Sequence, residues 1–310
     1  MSSLTLKGPY WVAARQHRRA LWVVPAVAVA GLVVVIALRS WAVGPHSGRP
    51  DAPLPNHGYE LLYWFMEYAG TGLLVLPLVV GAFVAGPMTA RELESGTWRL
   101  ALTQSTTPRA WLGSKVLVAA AVSVLGSAAL AGVYRLGWVR VPGTYQLHWA
   151  DRATYEVSGP VLAAYCLLGV ALGVLVGQLV RRTLAAMALT GMLTGLVLLG
   201  LGALRWSLLP VQTGTIPLEG SLLDLMPASA LLMDTGLVTS TGERLPGYAC
   251  LERSQDLRVC PADMDVIGRY AEFHPVAHFW PTQLLESSLV LVLAGVALFA
   301  AFRLVGARRA

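Results

Sequence analysis

The chain has 310 residues, of which 55% are hydrophobic and only 13% are charged, and its formal net charge is +6. This composition is too apolar for a soluble protein of that length and predicts an integral membrane protein. The positive charge indicates orientation in a bilayer and contact with anionic lipid, and it gives no support to nucleic-acid binding.

Six apolar stretches predict an all-α membrane protein, because roughly 20 apolar residues cross a bilayer as one helix. We number them spans 1 to 6; they lie at residues 21–38, 71–88, 116–133, 161–180, 184–204 and 284–302. The whole chain, residues 1–310, is then expected to form a single transmembrane domain.

Charge predicts which side of the membrane each connecting segment faces, because cytoplasmic segments carry an excess of Lys and Arg. With the N-terminus inside, the inner segments hold thirteen basic and two acidic residues, a net of +11. The other ten basic and fifteen acidic residues give −5 on the outside, which accounts for the chain's +6. We therefore predict that both termini are cytoplasmic.

Residues 6–20 precede span 1 and combine Tyr10, Trp11 and Val12 with a basic run. This pattern predicts an interfacial amphipathic helix on the inner leaflet; a basic flank that only sets the topology is the alternative. Span 1 is longer than a signal-peptide core of about 7–15 residues, which favours a true span. Residues 39–70 then read as an outer loop, in which prolines exclude a long helix and aromatic residues suit the headgroup level.

A short polar island at residues 87–115 separates spans 2 and 3 and holds Glu92 and Glu94, the only two acids predicted to be cytoplasmic. A short helix here would show these acids to the cytoplasm and place the apolar residues that follow against neighbouring helices. The alternative to such a helix is a solvated loop in which water satisfies the two charges. Opposite charge concentrated on a basic face favours a docking role.

Small residues recur at four-residue spacing in spans 4 and 5, which allows helix backbones to approach closely in lipid. These residues are Gly169, Gly173, Gly177, Gly191 and Gly195. Packing within the chain and a dimer seam are both open interpretations. The spans are predicted to hold no Asp, Glu, Lys or Arg in their interiors, which argues against a proton- or sodium-coupled carrier.

The long segment 205–283 is predicted to be an outer loop. Its part 221–238 is apolar but interrupted by charge and proline, which predicts that it dips into the interface. Cys250 and Cys260 form a candidate disulfide outside the cytoplasm, with free or metal-binding thiols as the alternative. A candidate metal site is formed by two histidines spaced four apart, His274 and His278, together with Glu272 and Glu286. Pro275 and the lack of an HExxH pattern argue against it, so we predict none.

Two motifs resemble one family. RELESGTWRLALTQS at 91–105, followed by PRAWLGSK at 108–115, is similar to the first cytoplasmic loop of type-two ABC transporter permeases of the single-domain actinobacterial kind. EFHPVAHFWPTQLLE at 272–286 resembles the segment that leads into that group's last span.

The resemblance implies a bacterial plasma-membrane permease that pairs with itself or with a sister permease and with a cytoplasmic ABC ATPase. The loop after span 2, residues 89–103, would be a coupling segment that the ATPase contacts. Its docking residues would be Arg91, Glu92, Leu93, Glu94, Ser95, Gly96 and Thr97, supported by Trp98 and Arg99.

In such an assembly ATP and Mg²⁺ belong to the partner, and this chain needs no cofactor. That division agrees with the residues, because the chain carries no GxxxxGK[ST] phosphate loop. Apolar spans favour export of an amphipathic, drug-like, lipid or peptide substrate. Two other classes stay open: a membrane-embedded enzyme using His148, Glu272, His274 and His278, and a membrane anchor or sensor that does not transport.

Overall fold

The structure is a computed structural model that describes residues 15, 18–43, 55–98, 107–142, 147–221, 225–227, 229–254 and 260–307. The described residues form two compact units. The helix unit contains those up to Leu147, Asp151–Arg205 and those from Gln283 onwards. The sheet unit contains His148–Ala150 and Trp206–Thr282.

Ten α-helices and four strands follow one another along the described residues. The helices are α1 (Arg18–Trp41), α2 (His57–Leu74), α3 (Leu76–Val79), α4 (Gly86–Glu94), α5 (Pro108–Trp138), α6 (Arg152–Ser158), α7 (Val161–Val180), α8 (Thr183–Leu204), α9 (Ala249–Ser254) and α10 (Phe279–Ala307). The strands are β1 (Gln212–Pro217), β2 (Leu231–Thr239), β3 (Arg244–Pro246) and β4 (Val266–His274). A π-helical segment, Val80–Ala85, joins α3 to α4.

Six helical stretches in the described residues are long and apolar enough to cross a membrane, which confirms the predicted number. They keep the numbers of the predicted spans, 1 to 6: Trp22–Trp41, His57–Glu94, Pro108–Trp138, Val161–Val180, Thr183–Ser207 and Val276–Ala307. The predicted interfacial helix at residues 6–20 lies outside the described residues, apart from Arg15 and 18–20.

Span 2 is the largest departure from the predicted bounds. It begins at His57 rather than near residue 71, so the aromatic residues assigned to an outer loop are helical. Asn56 explains this start, because its side chain accepts a hydrogen bond from the Tyr59 amide and caps the helix. The same side chain bonds the backbone of Trp41 and Val43, which joins the start of α2 to the end of α1.

The middle of span 2 changes from α to π geometry between two prolines, Pro77 and Pro87. Proline has no amide hydrogen, so each one interrupts the regular ladder of helical hydrogen bonds. The Gly86 amide reaches back five residues to the Gly81 carbonyl, which is the π pattern. The helical hydrogen-bond pattern of α4 is therefore shifted relative to that of α3, on the other side of the π-helical segment.

At the end of the helix unit that carries the polar island, an apolar cluster joins spans 2, 3, 4 and 6. Its buried members are Ala85, Met88, Trp111, Leu112, Ala119, Val170, Val174, Ala301 and Val305. Trp98, which follows the predicted docking residues, packs against this cluster. The cluster fixes the ends of four spans around the island.

The sheet unit contains a four-stranded antiparallel sheet of order β1-β4-β2-β3. In its register Ala271 of β4 lies between Gly214 of β1 and Thr235 of β2. The prediction of an all-α protein is therefore wrong for this unit, although the chain is mainly helical. Much of the apolar segment predicted to dip into the interface is strand β2, because its polar positions pair with β4.

Residues 272–283, predicted to be a loop leading into span 6, are also more regular than expected. Their start completes strand β4, and Val276–His278 forms a single 3₁₀ turn. Helix α10 then begins at Phe279. The proline-rich sequence hid this order, since Pro275 and Pro281 occupy positions at a strand end and in a first helical turn, where a missing amide hydrogen is tolerated.

Candidate functional site

The seven residues predicted to dock a partner, Arg91 to Thr97, form the end of span 2 in the structure. Helix α4 continues through Glu94, and the Ser95 amide bonds the Arg91 carbonyl as its last turn closes. Gly96 has a φ of +73°, the left-handed conformation that commonly ends a helix and that suits glycine. From here we keep the name coupling segment for residues Arg91–Trp98, the part of the predicted 89–103 that holds the docking residues and Trp98.

The described part of the predicted coupling segment ends at Trp98, which is helical again after the turn at residues 95–97. In the described residues it is the last turn of span 2 followed by a glycine turn and Trp98. Arg99 and the rest of the predicted extension to residue 103 lie outside the described residues. Because α4 follows the π-helical segment without a break, the start of the coupling segment is continuous with span 2.

Glu92 reaches from the coupling segment to span 3. One carboxylate oxygen accepts from the Lys115 ammonium at 2.5 Å, and the other accepts from the Trp111 indole N–H at 3.1 Å. The Lys115 side chain is only 5% exposed and that of Glu92 18%, so this ion pair is largely shielded from solvent. Lys115 also lies 5.2 Å from the centre of the Trp111 ring, within cation–π range.

Glu94 reaches to span 5. Its Oε2 accepts from the Thr183 amide at 2.9 Å and from the Thr183 hydroxyl at 2.5 Å. Thr183 is the first residue of α8, where backbone N–H groups lack partners within their own helix. A carboxylate is favourable there because of the partial positive charge of a helix N-terminus.

Each acid is hydrogen-bonded within the chain, and of the two Glu94 is exposed whereas Glu92 is half-buried. Arg91, Ser95 and Thr97 are the exposed polar residues of the segment besides Glu94. These three side chains form a polar surface that is open to a partner.

The glycines of span 4 lie against span 2. An added Cβ on Gly169 would meet the Pro77 carbonyl oxygen at 2.7 Å, and one on Gly173 would meet the Gly86 nitrogen at 2.7 Å. A Cβ on Gly177 would meet the Gly86 carbonyl oxygen at 3.0 Å. These contacts are intrachain and hold span 4 against the π-helical segment and α4. Gly191 and Gly195 of span 5 also face span 2, at the looser distances of 3.4 and 3.6 Å.

The far end of the helix unit holds a charge cluster that the sequence analysis missed. Arg205 donates to Glu286 at 2.8 and 2.9 Å and to Glu156 at 2.7 Å. Glu156 also accepts from Arg152 at 3.0 Å, and Glu286 accepts from the Tyr165 hydroxyl at 2.7 Å. We call Arg152, Glu156, Arg205 and Glu286 the buried ion network, since three of its four members are at most 2% exposed.

The prediction of spans without buried charge is wrong at this cluster. Glu286 lies inside α10, which begins earlier than the apolar stretch does, and Arg205 directly follows α8. In the sequence, Arg205 and Glu286 are visible only as single charged residues at the margins of the apolar stretches of spans 5 and 6. Its meaning depends on partners 49 and 81 residues away, which no local pattern reveals.

The four residues considered as a metal site do not form one cluster, because they bind different partners. Glu286 belongs to the buried ion network, and Glu272 pairs with Arg244 at 2.5 Å across the sheet. The rings of His274 and His278 do meet, with their Nδ1 atoms 2.9 Å apart. His274 lies 3.0 Å from the Trp206 carbonyl through Nε2, and burial lowers its pKa. In the described part of the chain, no group of three or more His, Cys, Asp or Glu could hold a metal ion.

The other sequence candidates lie in the sheet unit. Cys250 and Cys260 are joined in a disulfide with Cα atoms 4.8 Å apart. His148, considered as part of an enzyme site, accepts from the Ala150 amide through Nδ1 and contacts the Ser229 carbonyl through Nε2. His148 therefore joins its own loop to residue 229.

Glu92 and Glu94 lie at one end of the helix unit and the buried ion network at the other, and each of these charged groups is bonded to another part of the chain. Residues 55–205, which include spans 2 to 5 and the coupling segment, match the family model described as ABC-2 membrane transporter related. Comparisons with curated proteins and with solved structures found no match. With this match and its six apolar helices, the chain fits a permease of the ABC-2 type, a multi-pass membrane component of transport.

Proposed function

We propose that this chain is the permease subunit of an ATP-driven ABC exporter in a bacterial plasma membrane. A separate cytoplasmic ABC ATPase binds and hydrolyses ATP with its Mg²⁺, and two permease subunits, identical or sister chains, complete the transport path. The observation that carries this proposal is the family match across residues 55–205, which includes the coupling segment.

The charge distribution supports a cytoplasmic position for the coupling segment. Placing the N-terminus inside gives the inner segments a net charge of +11, in agreement with the positive-inside rule. The segment is then the part of span 2 that an ATPase can reach. We assign the docking contact to the exposed side chains of the segment other than its two acids, with Arg91 and Ser95 at its centre and Thr97 at its edge.

The substrate proposed is amphipathic, with a hydrocarbon part. A small apolar cavity of about 60 Å³ lies among spans 1, 2 and 3. Its polar side chains are two serines in a lining of Val24, Leu76, Val80, Val84, Ala119, Val122, Ser123, Gly126, Ser127 and Leu130. Such a surface favours lipid-like, drug-like or apolar peptide molecules over ions.

The proposal is tested by purifying the tagged chain from its native membrane and identifying bound proteins by mass spectrometry. We expect a stoichiometric ABC ATPase whose ATP hydrolysis in proteoliposomes changes when the permease is present. Arg91→Glu should weaken its binding about tenfold, which corresponds to about 1.4 kcal/mol. Glu219→Arg, a charge change on an exposed residue of the sheet unit, is the matched control and should leave binding unchanged.

Two results would contradict the proposal. The first is a purified chain that carries no ABC ATPase under conditions in which its spans remain folded. The second is equal ATPase binding by wild type, Arg91→Glu and Glu219→Arg, which would remove the docking assignment even if an ATPase is present.

A further inference from the structure

We propose that Glu92 and Glu94 are positioning residues that tether the coupling segment to span 3 and span 5, so that movement of the segment carries both spans with it. This inference rests on the proposed function, because the movement is supplied by the ATPase. It assigns the two acids to contacts within the permease rather than to the contact with the ATPase.

The first step is the geometry of α4. Residues two apart on a helix point in different directions, so Glu92 and Glu94 cannot serve the same neighbour. Glu92 bonds Lys115 and Trp111 on span 3, whereas Glu94 bonds Thr183 on span 5. One turn of helix therefore reaches two different spans.

The tether to span 3 is strong because it is shielded. Lys115 lies in the eighth position of α5, and its ammonium is held by Glu92 with little solvent around it. Removing Glu92 from this contact would leave a buried lysine without the carboxylate that offsets its desolvation. Span 3 is thereby held to the coupling segment whenever the segment is displaced.

The tether to span 5 works by capping. Glu94 satisfies the Thr183 amide and hydroxyl at the point where α8 starts, directly after Arg181 and Arg182. Arg181 has a φ of +54°, so the chain turns sharply between span 4 and span 5 there. The start of span 5 consequently takes its position from the coupling segment as well as from its own turn.

The experiment measures whether the segment and each span move together. Spin labels are placed at Thr97 with either Leu117 on span 3 or Leu184 on span 5, all exposed positions, in the complex with the ATPase. Distances are measured without nucleotide and with a non-hydrolysable ATP analogue. In wild type we expect both distance distributions to be the same in the two states.

Each tether has its own variant. Lys115→Met should make only the Thr97 to Leu117 distance depend on nucleotide, and Glu94→Ala only the Thr97 to Leu184 distance. The charge swap Glu92→Lys with Lys115→Glu should restore the first. Both single variants should keep the ATPase bound but lower its permease-dependent hydrolysis at least about fivefold, the lower end of usual allosteric coupling.

The outcomes separate this inference from the function it rests on. A folded wild-type chain that binds no ATPase overturns both. Bound ATPase with unchanged distances and hydrolysis in Lys115→Met and Glu94→Ala overturns the tethers alone, as would wild-type distances that already change with nucleotide. Loss of ATPase binding in both variants, with folding intact, would return the two acids to the docking surface.

Discussion

At the scale of single residues, the buried ion network contains two arginines and two glutamates, so its formal charges cancel. Arg205 is its centre, since it bonds both carboxylates and lies 4.2 Å from the centre of the Tyr155 ring. Burying charges is costly, and the network is tolerated because each carboxylate has an arginine partner. The same logic makes the loss of one member severe.

We predict that Arg205→Met lowers the free energy of unfolding by about 3–5 kcal/mol, because Glu286 is left buried with the Tyr165 hydroxyl but without its arginine. Arg244→Met is the control: it breaks an ion pair whose arginine is 51% exposed, and it should cost no more than about 1 kcal/mol. Unfolding in mixed micelles by titration with SDS provides the comparison. Equal costs for the two variants would contradict a stabilising role for the network.

At the scale of elements, the π-helical segment and the glycines of span 4 form one contact. At Gly169, Gly173 and Gly177 the backbone of span 2 approaches that of span 4 so closely that a side chain at these positions would have no room. Because van der Waals packing replaces the hydrophobic effect between helices in lipid, this close fit is what holds the two spans together. The coupling segment lies at the end of this rigid pair.

Gly173→Ala is therefore expected to destabilise the helix unit by about 1–3 kcal/mol, the usual cost of overpacking. Its new Cβ would lie 2.5 Å from the Ala85 Cβ and 2.7 Å from a backbone nitrogen, which cannot move aside. Gly200→Ala in span 5 is the matched control, since nothing lies within 4 Å of a Cβ there. Thermal unfolding in detergent that ranks the two variants equally, or Gly200→Ala lower, would show that the contact is loose.

At the scale of the whole molecule, orientation in the membrane follows from the charge difference between the two sides. A single cysteine introduced at Thr97 should react with a membrane-impermeant maleimide only after cells are opened, and one at Tyr248 should react in intact cells. The parent chain is a suitable background because Cys250 and Cys260 are bridged and Cys166 is buried. Labelling of Thr97→Cys from outside would reverse the assigned topology.

The sequence by itself determined the class of the protein, the number of spans and the small residues that pack them. These properties depend on sums of apolar transfer free energy over neighbouring residues, so a local stretch is enough to reveal them. The first and last residues of each span were less well determined, because a capping residue such as Asn56 extends a helix beyond its apolar stretch.

Only the tertiary structure decided which partner each charged side chain has. Glu92 meets Lys115 across 23 residues and Arg205 meets Glu286 across 81, and strands β2 and β4 pair across a similarly long stretch. An ion pair or a strand register depends on where distant segments come together, and no local pattern carries that information. The sequence placed two acids in the polar island after span 2; the fold makes them part of the end of span 2 and bonds one to span 3 and the other to span 5.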